Sequence, residues 1–187
     1  MRQVGYRSAA ALLGVIAVAV VASCSWVPFG GNKAEQPAAA CPATVILHPL
    51  ANTAVFNPGT APADLKPITV AWYGIFSDIS AKCQMAGTTL HASIDNVIVA
   101  ERGPAARGND TDFTYFVSLT GPDQAILGKK TFAAHVASPD KAKRGGINDH
   151  VEVAFFTGGR PLNDLSITVG FQQSPEAIEF YKNFRGR

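Results

Sequence analysis

The chain has 187 residues, enough for one domain of ordinary size with an appendage and too few for two large cores. Its formal net charge is +2, and Arg2 and Arg7 at the extreme N-terminus supply that excess; without them basic and acidic side chains balance at 14 each. A balanced surface has no broad attraction for phosphates, which argues against nucleic acid as a partner.

Met1 to Arg7 form a short basic segment, and Ala9 to Ala22 follow with no charge among them. As a helix this apolar run would span about 21 Å, against a hydrocarbon core of roughly 30 Å. That is short for a membrane span and right for the apolar region of an export signal. Val21, Ala22 and Ser23 then lead directly into Cys24. Together these features resemble the signal and lipobox of bacterial lipoproteins, a resemblance confined to the first two dozen residues. It implies cleavage before Cys24, a diacylglycerol thioether on its sulfur and an amide-linked acyl chain on its new N-terminus. Ser25, standing where Asp would retain a Gram-negative lipoprotein in the inner membrane, favours the outer membrane over the inner one, and the resemblance implies a periplasm-facing domain. Several acyl chains hold stably, because each buried methylene contributes roughly 0.8 kcal/mol and one chain alone is marginal.

Residues 1–23 therefore read as a signal peptide, 24–40 as a lipidated tether and 41–187 as the folded part. Ser25 to Ala40 contain two prolines and two glycines and no regular periodicity. A coil of that length reaches roughly 20–25 Å. Trp26, Val27 and Phe29 are nearest the lipid, where aromatic rings favour the interface, although packing on the domain is the alternative. With Cys24 assigned to lipid, Cys41 and Cys83 remain as an even pair, which in an oxidising compartment most simply forms a disulfide. No C-x-x-C spacing supports redox or metal chemistry for them.

From Cys41 to Phe171 strand patterns alternate with turns. Ala43 to Leu47 is a short β-branched run. Ile68, Val70 and Trp72 alternate before Ile75 and Phe76. Leu90, Ala92 and Ile94 share one parity, and Val97 and Val99 carry the other, which predicts a bulge or hairpin turn at Asp95-Asn96. Further strands are marked by Phe113 to Leu119, Ile126 to Val136, Val151 to Phe155 and Leu165 to Phe171. Turns are expected at Asn57-Pro58-Gly59, Gly121-Pro122-Asp123, Lys143-Arg144-Gly145-Gly146 and Gly158-Gly159-Arg160-Pro161. About seven short strands with such turns predict a mainly β fold, an antiparallel sandwich of the immunoglobulin or fibronectin III kind, with a small barrel as competitor. One helix closes the chain: Ser174 suits the N-cap, Pro175 the first position and Glu176 the positive dipole end. Ala177, Ile178, Tyr181 and Phe180 or Phe184 would form its apolar face, packed on the sandwich.

The opening CPATVIL, the RGPAA segment at Arg102 to Ala106 and the ending VGFQQSPEAIEFYKN resemble alphaproteobacterial envelope lipoproteins of unassigned activity. The resemblance implies an envelope protein and carries no catalytic residues to transfer.

Chemistry is sparse. The histidines (His48, His91, His135 and His150) join in no H-x-H or H-E-x-x-H pattern, so neither metal nor cofactor is implied. His91 and His135 fall at outward strand positions and His150 beside a turn. There is no G-x-S-x-G elbow, and Ser118 and Ser166 sit mid-strand. Asn109, Asp110 and Asp112 could contribute oxygens to calcium, but a site needs six to eight, and a solvated turn is the simpler reading. The segment with Arg102, Arg107, Asp110 and Asp112 is marked as a recognition loop. Lys141, Lys143 and Arg144 are the only basic cluster, read as a hairpin tip. These features suggest a non-catalytic binding or structural module for another envelope component, most simply a protein. The alternative is a periplasmic hydrolase or carbohydrate-binding subunit using Asp110, Asp112 and Asp149. Replacing Cys24→Ser should move the protein out of the membrane fraction and abolish acyl labelling; retention of both would refute lipidation.

Overall fold

The computed structural model describes residues 40–140 and 142–184; Cys24, the lipobox and the tether through residue 39 lie outside the described residues, as does Lys141. Eight strands appear among the described residues: β1 (Ala43–Ile46), β2 (Asn52–Phe56), β3 (Val70–Ala86), β4 (Thr89–Arg102), β5 (Asp110–Thr120), β6 (Ile126–Ala137), β7 (Arg144–Phe156) and β8 (Ser166–Phe171). They make two four-stranded sheets, ordered β2-β3-β4-β7 (sheet I) and β1-β8-β5-β6 (sheet II). All pairings are antiparallel except β1 with β8. This is the sandwich that the patterning predicts, with one strand more. The extra strand, β2, carries Thr53 and Ala54 buried side by side, so it lacks the alternation that marks a strand.

The core lies between the sheets. Phe171 packs against Phe76 and Phe113 with ring centroids 4.4 and 5.4 Å apart, and Tyr115 packs edge-on to Phe76 at 5.7 Å. Aromatic pairs at such distances add to the stabilisation from burial alone. Gly87, with φ 60°, begins the two-residue connection of the long β3–β4 hairpin, where a left-handed residue matches the strand twist.

Two expected breaks fall elsewhere. β4 runs without interruption through Asp95-Asn96, and Leu90, Ala92, Ile94, Asn96, Ile98 and Ala100 all point inward. Asn96 holds an inward position because its amide donates to the Tyr115 hydroxyl at 3.3 Å, although its Oδ1 is buried without a partner. The bulge is instead in β3. Phe76 pairs with Ile98 and Asp78 with Val97, which leaves Ser77 as an extra residue. Likewise the expected turn Lys143-Arg144-Gly145-Gly146 is mostly strand: β7 begins at Arg144, which pairs with Glu101 at 2.8 Å. A Cβ on Gly145 would lie 2.2 Å from the Ala137 carbonyl oxygen. That glycine therefore serves close approach of β7 to the end of β6, and not a turn.

The helix α1 (Pro175–Asn183) is capped as expected, Ser174 Oγ accepting from the Ala177 amide at 3.1 Å. It packs on β2, where Phe180 meets Phe56 at 5.5 Å over Ala54 and Val70.

Cys41 and Cys83 form a disulfide with Cα atoms 5.1 Å apart, tying the entry to β1 in sheet II to β3 in sheet I. The bond closes a 42-residue separation, for which the chain-entropy model gives roughly 4 kcal/mol. Denaturant unfolding of a Cys41→Ala/Cys83→Ala variant should therefore show a loss of about that size, and an unchanged midpoint would contradict the bond's structural role.

Candidate functional site

The segment marked as a recognition loop divides into separate roles. Arg102 ends β4, and its guanidinium lies 4.7 Å above the buried Trp72 ring. Nη2 donates to Asn109 Oδ1 at 2.9 Å, Nε to the Ala142 carbonyl at 3.3 Å, and Nη1 to the Gly108 carbonyl. Its planar fork is thus spent on bracing two connections, a structural use. Arg107 is exposed on the loop between.

Asp110 and Asp112 belong to β5 and point outward from sheet II, not from a loop. They flank His135 of β6, with Asp112 Oδ1 at 2.8 Å from Nδ1 and Asp110 Oδ2 at 3.6 Å from Nε2. Register causes this, because Asp112 lies directly opposite His135 in the β5–β6 ladder. The calcium reading gains nothing from the arrangement: among the described residues no group of three or more histidine, cysteine, aspartate or glutamate side chains could hold a metal.

Asp149 points the other way. It lies opposite Asn96 in the β4–β7 ladder, and its Oδ2 accepts from the Tyr115 hydroxyl. Burial, then the carboxylate beside it, hold that hydroxyl protonated well above its usual range. Asp110 and Asp112, beside His135, and Asp149, beside Tyr115, therefore do not converge.

The outward face of sheet I gathers more chemistry than any segment marked from the sequence. After the bulge, Ser80, Lys82 and Gln84 point out from β3; β4 contributes His91, Ser93 and Asp95; β7 contributes His150 and Glu152. The ladders align them in rows: Ser80–Asp95–His150, Lys82–Ser93–Glu152 and Gln84–His91–Ala154. A groove of about 620 Å3 runs across the last two rows, lined by Lys82, Gln84, His91, Ser93 and Glu152. At its margin His150 Nδ1 lies 2.7 Å from Asp95 Oδ1 and Nε2 lies 3.3 Å from Ser93 Oγ.

That last triple has the order of a nucleophile, a base and an orienting carboxylate. Two observations weigh against catalysis. His150 and Asp95 are each more than half exposed, with side-chain exposures of 55% and 54%, so water screens the pair. Around Ser93 the strand is paired on both sides, so its neighbouring amides are taken up by the ladders and supply no oxyanion hole. Along one row of this face Lys82 and Glu152 place one charge of each sign on either side of Ser93.

Local sequence patterning does not display this face. Alternation alone puts His91, Ser93 and Asp95 together, but their partners on β7 follow from a cross-strand register that the sequence does not display, and His150 lies in mid-strand, not beside a turn. No protein-family model matches the chain, and no curated protein matches it. Among the described residues no helix is long and apolar enough to cross a membrane.

Replacing Arg102→Lys should remove the forked bonds to Gly108 and Asn109 and lower stability by about 1–2 kcal/mol. Limited proteolysis should then cut within residues 103–109 faster than in the parent; equal rates would show that Arg102 does not brace that loop.

Proposed function

We propose that the chain is a lipid-anchored envelope lipoprotein, periplasm-facing and in the outer membrane, whose sandwich is a non-catalytic binding module for another envelope protein. The anchor rests on the lipobox before Cys24 and on Ser25 following it. The binding reading rests on the grooved outer face of sheet I, where Lys82, Ser93 and Glu152 form a row with both signs of charge beside His91 and Gln84. Such a surface recognises a partner by complementary charge and hydrogen bonding, and the overall balance of charge leaves no competing non-specific attraction.

The second reading, hydrolysis, draws on the Ser93–His150–Asp95 triple alone. A serine-directed fluorophosphonate probe separates the two. The binding reading predicts no labelling of Ser93; labelling that disappears in His150→Ala would favour the hydrolase.

The direct test is photocrosslinking in intact cells from a residue introduced at His91. A discrete crosslinked envelope protein is expected, and Lys82→Glu with Glu152→Lys should lower its yield about tenfold, equivalent to about 1.4 kcal/mol of affinity. Crosslinks of the same yield in that variant, or none in either protein, would reject this face as the binding surface.

A further inference from the structure

The opposite outer face, on sheet II, has a different character. Leu47 at the end of β1, Leu50 in the following 3-10 turn, Phe116 of β5, Ile126 of β6 and Ile178 of α1 line an open groove of about 540 Å3. Three of these are unusually bare for large aliphatic side chains: Ile126 is 63% exposed, Ile178 48% and Leu47 43%. Apolar side chains clustered this way mark a surface that something covers. Lys129 stands at the groove, its ammonium 4.3 Å from the Phe116 ring centroid and donating to Gln172 Oε1 at 2.8 Å. Lys182 follows Ile178 by one turn on the same side of α1, paired with Glu179 at 2.9 Å.

We infer that this face rests on the lipid bilayer, with Leu47, Ile126 and Ile178 entering the head-group boundary and Lys129 meeting lipid phosphate. The inference depends on the lipid anchor proposed above. What selects a membrane is where the preceding chain joins and how long it is. The residues before Cys41 enter the fold at β1, the edge strand of sheet II, whose far end carries Leu47 into the groove about 13 Å away. Sixteen residues, Ser25 to Ala40, separate Cys24 from Cys41; a coil of that length would reach roughly 20–25 Å, so a lipid on Cys24 would keep that edge near the bilayer. Tethering turns docking into an intramolecular event at an effective concentration in the millimolar range, so a small apolar patch suffices. Sheet I is unsuited to the same contact, because Lys82, Glu152, His91 and Asp95 would all lose water. Around Leu47, Ile126 and Ile178 sheet II offers aliphatic carbons with a cation beside them, the pairing that an interfacial surface over anionic lipid uses, while Asp110 and Asp112 point out from the start of β5, paired with His135. Among the acids, Glu179 beside Ile178 on α1 is paired with Lys182, and Asp123 in the turn before β6 is exposed.

The test replaces the natural anchor, so that its result does not depend on acylation. The mature chain with Cys24→Ser carries an N-terminal hexahistidine and is held on vesicles of phosphatidylethanolamine and phosphatidylglycerol doped with nickel-chelating lipid. A nitrobenzoxadiazole fluorophore is placed singly at Ile126→Cys, Ile178→Cys and His91→Cys. Blue-shifted emission and several-fold stronger quenching by nitroxide-labelled lipid are expected at the first two sites and not at His91→Cys. Aqueous emission at Ile126→Cys and Ile178→Cys on the vesicles would overturn the inference. So would a concentration-dependent shift without vesicles, which would mean that a second copy covers the face. Failure of the native chain to incorporate acyl label would refute the anchor separately and leave the vesicle result to judge the surface itself.

Discussion

Ser77 decides which side of β3 faces the core. Ahead of it Trp72, Gly74 and Phe76 point inward; beyond it the inward set becomes Ile79, Ala81, Cys83 and Met85. A strand without the extra residue would keep its even positions inward and turn Cys83 to solvent, out of reach of Cys41. The same shift puts Lys82 and Gln84 outward, beside Ser93 and His91. One unpaired residue therefore permits both the bond that joins the sheets and the row of polar groups on sheet I. β4, against which β3 is registered, keeps a single parity from Leu90 to Ala100, and this fixed reference makes the change in β3 productive.

Much of this fold is legible in the chain because period-2 burial is written into it. Phe113 to Leu119 and Leu165 to Phe171 form the central strands of sheet II, where large apolar side chains recur at every second position although the residues between them are mostly buried too. The disulfide is legible as well, from cysteine count and the oxidising compartment that the lipobox resemblance implies. The misplacements share a cause. Asn96 is polar at a core position, where the Tyr115 hydroxyl accepts from its amide nitrogen, so the sequence suggests a break in β4 where none exists. Gly145 and Gly146 read as a turn, although the first is there for backbone clearance against Ala137. In each case a long-range contact, invisible locally, overrides a sound local signal.

The polar face was less legible than the fold for the same reason. A residue's outward direction follows from its own strand, but its neighbours come from pairing. Ser93, Asp95 and His150 are brought together across 55 and 57 positions of sequence. Conversely, the segment with Arg102, Asp110 and Asp112 attracted notice through composition, and the fold uses Arg102 as a brace and the two aspartates as partners of His135. Sequence locates charged residues well; it does not say which are already occupied.

On the proposed reading, the two outer faces divide the labour of an anchored module. Sheet I presents hydrogen-bonding groups and mixed charge, and sheet II presents aliphatic side chains beside a lysine. A tether joined at the edge of sheet II is consistent with that face being turned to the membrane and the other to the periplasm. Hydroxyl-radical footprinting of the native envelope, compared with the purified unlipidated protein, reads both faces at once. Protection in the envelope is expected at His91 and His150 on sheet I and at Ile126 and Ile178 on sheet II, while Ile68, which is 66% exposed outside both grooves, stays reactive. Equal reactivity of His91 and His150 in the two preparations would contradict the assignment of sheet I as the binding surface.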